Sequence, residues 1–360
     1  MNKYLTLFLA LLCLTAACHK GDDGDEPKGK SAAINEIMVI FSPGQLGDNG
    51  YADDVMEGVN LLSKVAQGTE ELDSLDVSFL SPWNREDMMQ GIIDWAGDAE
   101  SRFVDGEYQY RLLVLTEAYM LPMVDAIKTK LRPTDEVLVL KTDENDIKTA
   151  AAKYNLGDRL HGLNISAASS IRRFCKFMDQ QIQYRNEILG RSMNRNRVPL
   201  LRLYGKDYGY RDSIAETLAE VLGNTSEVVY LSLGNEGIEG LDEADGGMPV
   251  IKYAYMLADV WQYSYRMGGS GFMIVDLGTG NAGWDYNLMQ RSIDDDTYIT
   301  LYIDRADTPL PNSYCVQRMF GFALLSWCYE WMVKSPGEMP ASITHSNDYL
   351  CSDNLDLNED

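Results

Sequence analysis

From Glu36 onward, the sequence alternates short apolar runs with longer amphipathic segments. This alternation constrains the fold more than any other feature. The predicted strands are Ile37–Phe41, Val77–Leu80, Leu112–Thr116, Val137–Leu140, Gly162–Ile165, Leu200–Tyr204, Val228–Leu231, Phe272–Leu277 and Tyr298–Ile303. The predicted helices are Ala52–Ala66, Arg85–Ala99, Pro122–Lys130, Ile147–Tyr154, Ile171–Leu189, Tyr210–Leu222, Lys252–Arg266 and Val316–Val333. Nearly continuous apolar strands separated by helices indicate an α/β fold, with mostly parallel sheets covered by helices on both faces. One large sheet could hold all these strands, but two sheets fit the length better.

Composition limits the classes of protein that this chain can belong to. It has 360 residues, of which 45% are hydrophobic and 24% charged, a globular composition that suggests two domains. Its formal net charge is −24, which disfavours a nucleic-acid partner because phosphate backbones repel an acidic surface. The 3 histidines are too few to favour a histidine-rich metal site, and we expect no cofactor.

The first residues have the pattern of an export signal. Lys3 precedes the mostly apolar run Leu5–Leu14, and small residues lead to Cys18. This run is too short to span a membrane. The segment resembles a bacterial lipobox, which implies that residues 1–17 are a lipoprotein signal peptide and that Cys18 carries the lipid. Plain secretion is the alternative.

Residues 18–35 are charged and rich in glycine, so we predict a disordered tether behind Cys18. Their acidic stretch resembles the surface-export signal of Bacteroidetes lipoproteins. We therefore expect a lipid-anchored protein of the cell envelope, on the outer membrane and exposed at the surface. The inner face of that membrane is the alternative.

The folded body divides into three predicted parts. Residues 36–165 form an N-terminal α/β lobe, residues 166–310 form a C-terminal lobe with hinge crossings, and residues 311–360 form a closing helix and tail. The basic segment Arg191–Arg197 is interpreted as a solvated loop. Export would leave Cys175, Cys315, Cys328 and Cys351 in an oxidising compartment, where either a disulfide from Cys351 or buried free thiols are expected.

Polar and aromatic residues follow the predicted strands, and in open α/β sheets ligands bind beyond the carboxyl ends of strands. The loop after the first strand is rich in glycine, which lets a ligand approach the backbone. Aromatic faces and carboxylates together suit a small hydroxylated ligand such as a sugar or nucleoside. The candidate ligand-binding residues are Asp48, Asn49, Tyr51, Trp83, Glu117, Asp143, Asp207, Asn281, Trp284 and Asp304.

A second glycine-rich loop permits another interpretation. Gly278–Gly283 matches G-x-G-x-x-G after a predicted strand, and Asp304 follows at the distance of a ribose-binding acid. The motif comes late in the chain, and an exported protein has no pool of nicotinamide dinucleotide to bind. A dinucleotide-dependent oxidoreductase is therefore disfavoured.

Three segments resemble one family in sequence order. Asp48–Gly58 resembles, without gaps, the D-x-S-F-N-x-x-x-x-E-G segment of the basic membrane protein family, which comprises substrate-binding lipoproteins of ABC transporters and includes purine nucleoside receptors. Gly278–Asn281 is similar to its G-T-G-N turn, and Ile303–Asp307 to its V-D-x-D-Q segment. Ala52 and Gln317 stand where the family has Asn and Lys.

The resemblance implies a type I periplasmic-binding fold, in which two α/β lobes joined by hinge strands close on a ligand. It implies that Asp48 holds a polar group of the ligand, that Tyr51 stacks on it and that Asp304 accepts hydrogen bonds from sugar hydroxyls. We expect Asp48 and Asp304 to face each other across the cleft, with Tyr51 and Trp284 stacking on the ligand. The implied partners are a small-molecule ligand, the membrane through Cys18 and an ABC permease or outer-membrane protein.

Catalysis is not expected. Nucleophilic catalysis needs an oriented base, and the folded body contains only His161 and His345. Paired carboxylates could serve a hydrolase, but a chain with 55 acidic residues contains many pairs by chance. The remaining alternative is a surface lipoprotein that binds a glycan or a macromolecule.

Overall fold

The computed structural model describes most of the N-terminal half and the strands and closing helix of the C-terminal half. The described residues are 34–43, 46–47, 50–68, 75–97, 103–104, 107–108, 110–190, 192, 200–202, 220, 230–232, 272–276, 299–304, 313–333 and 351–353. The strands are β1 Ile34–Ile40, β2 Asp76–Leu80, β3 Phe103–Val104, β4 Glu107–Tyr108, β5 Tyr110–Leu115, β6 Asp135–Leu140, β7 Leu160–Leu163, β8 Leu200–Arg202, β9 Tyr230–Ser232, β10 Phe272–Asp276, β11 Ile299–Ile303, β12 Ser313–Arg318 and β13 Cys351–Asp353. The α-helices are α1 Tyr51–Gly68, α2 Arg85–Gly97, α3 Glu144–Tyr154, α4 Ala168–Ile188 and α5 Phe320–Val333.

The first sheet has the order β2-β1-β5-β6-β7, and its neighbouring strands are all parallel. Alternate residues of its central strands enter two separate cores, as the pleat requires. Leu112 and Val114 pack with α1 and α5 on one face, whereas Leu113 and Leu115 pack with α2 and α3 on the other. The strand order reverses between β1 and β5, which places a topological switch point there.

The second sheet repeats this winding. Its order is β9-β8-β10-β11-β12, with parallel neighbours, and the short strand β13 is added antiparallel at the edge beside β12. Position by position, β11 in the second sheet corresponds to β6 in the first. The two sheets therefore belong to two similarly wound lobes, each with its own switch point.

The chain passes between the lobes after β7, after β12 and before β13. After β7, α4 packs against the second sheet, where the rings of Phe174 and Phe177 contact Tyr314 of β12 at centroid distances of 6.2 and 5.0 Å. After β12, α5 returns to the first lobe and fills its core with Trp327 and Trp331. Each lobe is thus completed by a helix that follows the last parallel strand of the other.

Two glycines bring α1 and α5 into direct backbone contact. A Cβ at Gly58 would lie 2.2 Å from the carbonyl oxygen of Gly321, and a Cβ at Gly321 would lie 1.9 Å from that of Asp54. Any larger residue would therefore push the two helices apart. This contact holds α5, the helix that returns from the second lobe, against α1.

Most predicted elements are present, but two predictions were wrong in detail. The predicted helix Val316–Val333 is divided, because Val316–Arg318 lie in β12 and α5 begins only at Phe320. The predicted helix Pro122–Lys130 is instead a 3₁₀ segment over Ala118–Ala126, with Pro122 inside it. The prediction of two sheets is confirmed. The helices predicted at Tyr210–Leu222 and Lys252–Arg266 lie almost wholly outside the described residues.

No described helix is long and apolar enough to cross a lipid bilayer.

The described cysteine side chains predict a chemical behaviour that can be checked. Cys175, Cys315 and Cys328 are buried, Cys328 is a free thiol, and burial raises the pKa of that thiol. Because the thiolate is the reactive form, we expect iodoacetamide to leave Cys328 unmodified in the native protein and to modify it after unfolding in guanidinium. Peptide mass spectrometry reads both states. Rapid native labelling of Cys328 would contradict this burial.

Candidate functional site

Side chains from both lobes meet beyond the carboxyl ends of the parallel strands. Glu117 lies two residues after β5, and Lys141 directly follows β6 in the first lobe. Asp304 directly follows β11 in the second lobe, and Arg318 ends β12 where the chain crosses back. Together with Tyr51 at the start of α1, these residues form the candidate site, which we call the interlobe cluster.

Ion pairs connect the four charged members of the cluster. Arg318 donates to both carboxylate oxygens of Asp304, over 2.8 Å from Nε and 2.5 Å from the terminal nitrogen. The Lys141 ammonium lies 3.3 Å from Asp304 Oδ2 and 3.3 Å from Glu117 Oε1. All four side chains are at most 5% exposed. The pair between Lys141 and Asp304 therefore joins the two lobes out of contact with water.

Tyr51 forms the aromatic wall of the cluster. Its hydroxyl donates a hydrogen bond to the backbone carbonyl of Thr116, directly at the switch point between β1 and β5. The ring meets Phe320 edge-on at a centroid distance of 5.1 Å, and the Lys141 ammonium lies 3.6 Å from its centroid. An ammonium at this distance from an aromatic face makes a cation–π interaction.

The backbones of Lys141 and Asp304 share an unusual conformation. Their φ angles are 58° and 62°, in the left-handed region that residues other than glycine rarely adopt. Lys141 directly follows β6 and Asp304 directly follows β11. These two strands occupy corresponding places in the strand orders of the two sheets. Strained backbone of this kind persists only where the surrounding structure enforces it, and it concentrates at functional sites.

The return crossing is fastened to the first lobe beside the cluster. Asp54, in the first turn of α1, accepts hydrogen bonds from Gln317 Nε2 at 3.2 Å and from the backbone N–H of Gly321 at 2.8 Å. Its carboxylate therefore caps the amino end of α5, where free N–H groups and the helix dipole favour a negative charge. This contact fixes the position of Arg318, one residue beyond Gln317.

The electrostatics of the cluster stabilise its charges. Burial alone would raise the pKa of Asp304, but Arg318 and Lys141 outweigh that effect and hold it below its ordinary value. Burial also raises the pKa of Tyr51 well above its ordinary value, and the negative charges of Glu117 and Asp304 raise it further. The Tyr51 phenol therefore keeps its proton and remains a hydrogen-bond donor.

The lowered pKa of Asp304 predicts how stability depends on pH. A carboxyl with a depressed folded-state pKa contributes stability that is present above the unfolded value, about 3.9, and is lost as pH falls through the folded value. We expect wild type to have a higher Tm than Asp304→Asn at neutral pH, with the difference shrinking below about pH 4. Circular dichroism melting measures both proteins. An equally large difference at about pH 3 would contradict the ion pairing.

The structure brings together three of the sequence-predicted site residues, Tyr51, Glu117 and Asp304. Two others are placed differently. Trp83, after β2, is 93% exposed, and Asp143 caps α3 by accepting from the N–H groups of residues 145 and 146 at 2.9 and 3.0 Å. The remaining candidates lie outside the described residues, and they are Asp48, Asn49, Asp207, Asn281 and Trp284, with the lipidation candidate Cys18.

Neither cation of the cluster, Lys141 or Arg318, was among the site residues predicted from the sequence. Lys141 stands directly after a predicted strand, so its position already carried the signal that selected Glu117 and Asp143. Arg318 had no such signal, because it lay inside the predicted helix Val316–Val333. Among the described residues, no group of three or more His, Cys, Asp or Glu side chains is arranged to hold a metal ion.

Comparisons with known proteins identify the fold. No protein-family model and no curated protein matches the sequence. A solute-binding protein of an ABC transporter system from Aeropyrum pernix K1 has a similar structure, with a TM-score of 0.51 and 12% identity, over 82% of this chain and 70% of that chain. An ABC sugar transporter subunit from Rhodobacter sphaeroides 2.4.1 gives a TM-score of 0.51 and 10% identity over 88% and 96% of the two chains.

A third similar structure is a protein from Bacteroides fragilis assigned as a LacI transcriptional regulator. Its TM-score is 0.50 at 9% identity, over 88% of this chain and 98% of that chain. At such low identities these similarities concern the fold and not the function. With the two similarly wound sheets and the crossings between them, they show that the chain has the type I periplasmic-binding fold.

Proposed function

We propose that this protein is a membrane-anchored solute-binding protein that captures a small hydroxylated ligand, sugar-like or nucleoside-like, between its lobes. One observation carries the proposal: buried polar side chains from both lobes converge beyond the carboxyl ends of their strands, in the interlobe cluster. In open α/β sheets this is where ligands bind.

The cluster offers the chemistry that a hydroxylated ligand needs. The carboxylates of Glu117 and Asp304 accept hydrogen bonds from hydroxyls, Lys141 and Arg318 donate them, and the Tyr51 ring supplies an apolar face. The fully buried hydroxyl of Thr116, beside Glu117, has no hydrogen-bond partner within the described part of the chain. A buried polar atom without a partner is costly, and a ligand hydroxyl would satisfy it.

Binding would work by closure of the lobes. A ligand that contacts side chains of both lobes favours the closed arrangement by its differential affinity, and it shifts the population toward that arrangement. The ion pair between Lys141 and Asp304 also links the two lobes. When a solute binds, it would replace part of these contacts between protein side chains with its own contacts to both lobes.

The finer parts of the proposal are supported by the sequence. The lipobox-like segment ending at Cys18 supports anchoring in the cell envelope and delivery to an ABC permease or outer-membrane partner. The three motifs that resemble the basic membrane protein family support a nucleoside, and the aromatic face with its carboxylates and donors suits a sugar equally well. Asp48, Asn49, Asp207, Asn281 and Trp284 are proposed as further ligand contacts. The proposal is binding without catalysis.

A thermal-shift screen of the purified protein tests the proposal. Sugars, nucleosides and, as a chemically different class, amino acids are added at millimolar concentration. Because a ligand that binds only the folded state stabilises it by mass action, we expect one hydroxylated class to raise Tm by about 5 °C at saturation. Glu117→Gln should weaken that response, whereas Asp125→Asn, a change at an exposed side chain, should preserve it. A response to amino acids alone, or to none of the solutes, would contradict the proposal.

A second candidate function is recognition of a surface glycan, favoured by the exposed aromatic residues of the edge strand region. Phe79 in β2 is 49% exposed and Trp83 is 93% exposed. Exposed aromatic rings of this kind can stack on sugar faces. Glycan-array binding that Trp83→Ala abolishes and Glu117→Gln leaves intact would favour this candidate over capture between the lobes.

A further inference from the structure

The Lys141 side chain occupies the centre of the interlobe cluster. Its ammonium lies over the Tyr51 ring, 3.6 Å from the centroid, and 3.3 Å from one carboxylate oxygen each of Glu117 and Asp304. An aromatic face flanked by carboxylates is the arrangement that recognises alkylammonium groups. The chain therefore fills a cation position with its own side chain.

We propose that Lys141 determines the ligand class of this site, because its ammonium excludes cationic ligands and restricts binding to uncharged solutes. The inference rests on the proposed function and deepens it. In this role Lys141 is a tethered occupant of the cation position, and the ligand's hydroxyls bind around it.

Charge balance supports this role. Glu117 and Asp304 contribute −2 to the ion-paired group and Lys141 and Arg318 contribute +2, so the charges of these four side chains sum to zero. The neighbouring buried carboxylate of Asp54 is stabilised separately, by the amino end of α5. A neutral ligand preserves this balance when the lobes close around it. A charged ligand would add a buried charge without a counter-charge, which is strongly unfavourable. Removing the Lys141 ammonium would leave a net charge of −1 and an open position for a cation.

The backbone conformation of Lys141 and Asp304 supports the role of Lys141 independently of the charges. Lys141 and Asp304, the two ends of the interlobe pair, both have left-handed φ angles directly after corresponding strands of the two lobes. This conformation is unfavourable for lysine, and glycine would adopt it without strain. Position 141 thus has a backbone conformation that favours glycine, and yet it holds a lysine whose ammonium contacts carboxylates of both lobes.

Chemical rescue tests the proposal without knowledge of the ligand. Lys141→Gly keeps the backbone conformation and removes the side chain, leaving space for n-butylammonium. We expect this variant to have a lower Tm than wild type, and n-butylammonium chloride to raise it by about 5 °C near saturation. The controls are n-butanol, sodium chloride at equal ionic strength, wild type, and Lys141→Met, whose side chain fills the space without a charge. None of these controls should show the rise.

The outcomes separate this inference from the proposed function. Rescue of Lys141→Gly by n-butylammonium alone supports the tethered cation, whatever wild type binds. The inference is overturned if n-butanol stabilises Lys141→Gly as much as n-butylammonium does, or if n-butylammonium stabilises Lys141→Met equally. It is also overturned if n-butylammonium does not stabilise Lys141→Gly. Each of these results counts against the tethered cation even if wild type binds a sugar. If Lys141→Gly is unfolded by itself, folding on addition of n-butylammonium supports the inference. If it stays unfolded at saturating n-butylammonium while Lys141→Met folds, the inference is overturned.

A second measurement reads the ligand class directly. For a neutral sugar that wild type binds, isothermal titration compares it with the matching amino sugar, which carries an ammonium group. We expect wild type to prefer the neutral sugar and Lys141→Met to shift the affinity ratio toward the amino sugar by at least about tenfold. An unchanged ratio in Lys141→Met would overturn the role of Lys141 while leaving sugar binding intact.

Discussion

Replacing Gly321 by alanine is expected to lower the free energy of unfolding by about 3 kcal/mol, at the upper end of the range for overpacking a tight contact. The added Cβ would lie 1.9 Å from the carbonyl oxygen of Asp54 and 3.2 Å from the backbone nitrogen of Gly58. These neighbours are backbone atoms of α1, so no side chain can rotate away. The helices must separate, and the bond from the Gly321 N–H to Asp54 is lost or lengthened.

The control for this substitution lies on the same helix pair. Gly68 ends α1, and a Cβ there would meet nothing within 4 Å. Gly68→Ala should therefore be neutral or slightly stabilising, by less than about 1 kcal/mol. Urea unfolding followed by circular dichroism measures both variants. Equal midpoints for Gly321→Ala and wild type would contradict the close approach of α1 and α5.

Replacing Arg111 by methionine should cost about 3–5 kcal/mol, because it leaves a buried carboxylate without its partner. Arg111 is 1% exposed and donates from two nitrogens to Asp135, each bond being 2.9 Å long. It also donates to the carbonyl of Trp95 at 2.9 Å, and its guanidinium lies 4.3 Å from the ring centroid of that residue. This group connects β5, β6 and α2 at the end of the sheet opposite the interlobe cluster.

A double-mutant cycle separates the ion pair from packing. Asp135→Leu in addition to Arg111→Met removes the carboxylate that makes the two hydrogen bonds, so the double variant should be more stable than the sum of the two single changes predicts. Part of the cost of Arg111→Met should persist in the double variant, because the buried Glu36 carboxylate, 3.7 Å from the guanidinium, loses the same ion-pair partner. Lys148→Met, at an exposed pair with Glu144, serves as the surface control and should leave the midpoint unchanged. Additive single and double effects would show that Arg111 and Asp135 are not coupled.

The sequence predicted those parts of the fold and site that depend on local pattern. Apolar runs identified the central strands, because a strand covered on both faces must be apolar along its length. The rule that ligands bind beyond strand ends selected Glu117, the resemblance to the basic membrane protein family selected Asp304, and the structure brings both to the same ammonium. Tyr51 was predicted as a site residue because it lies in the loop after the first strand and because of the same family resemblance. Position relative to a strand was not enough by itself, because the same rule selected Trp83 and Asp143, which lie elsewhere.

Features that depend on tertiary context were not predictable in this way. The segment from Val316 to Val333 is apolar throughout, so periodicity could not reveal that it contains a strand, a crossing and a helix. Arg318 consequently appeared as a helical residue. The contact of Gly58 with Gly321 joins residues far apart in sequence, and nothing local distinguishes it. The pairing of Lys141 with Asp304 depends on how the two lobes meet, which no single segment encodes.

The repeated winding of the two lobes explains why this pair lies where it does. The sheets share one strand order, so corresponding strand ends face a common region, and Lys141 and Asp304 occupy equivalent places in it. The sequence shows no internal repeat at these positions, and the two residues carry opposite charges. The correspondence therefore lies in backbone geometry, which only the structure reveals.

Isothermal titration of the purified protein measures the capture of a hydroxylated solute between the lobes. We predict that one sugar or nucleoside binds with saturable heat at one ligand per chain. Asp304→Asn, which keeps the shape of the side chain and removes its charge, should weaken this binding by at least about tenfold. Lys148→Met, at an exposed pair, should bind like wild type. A solute that binds equally well to wild type and Asp304→Asn, or no binding by any sugar or nucleoside tested, would contradict ligand capture by the interlobe cluster.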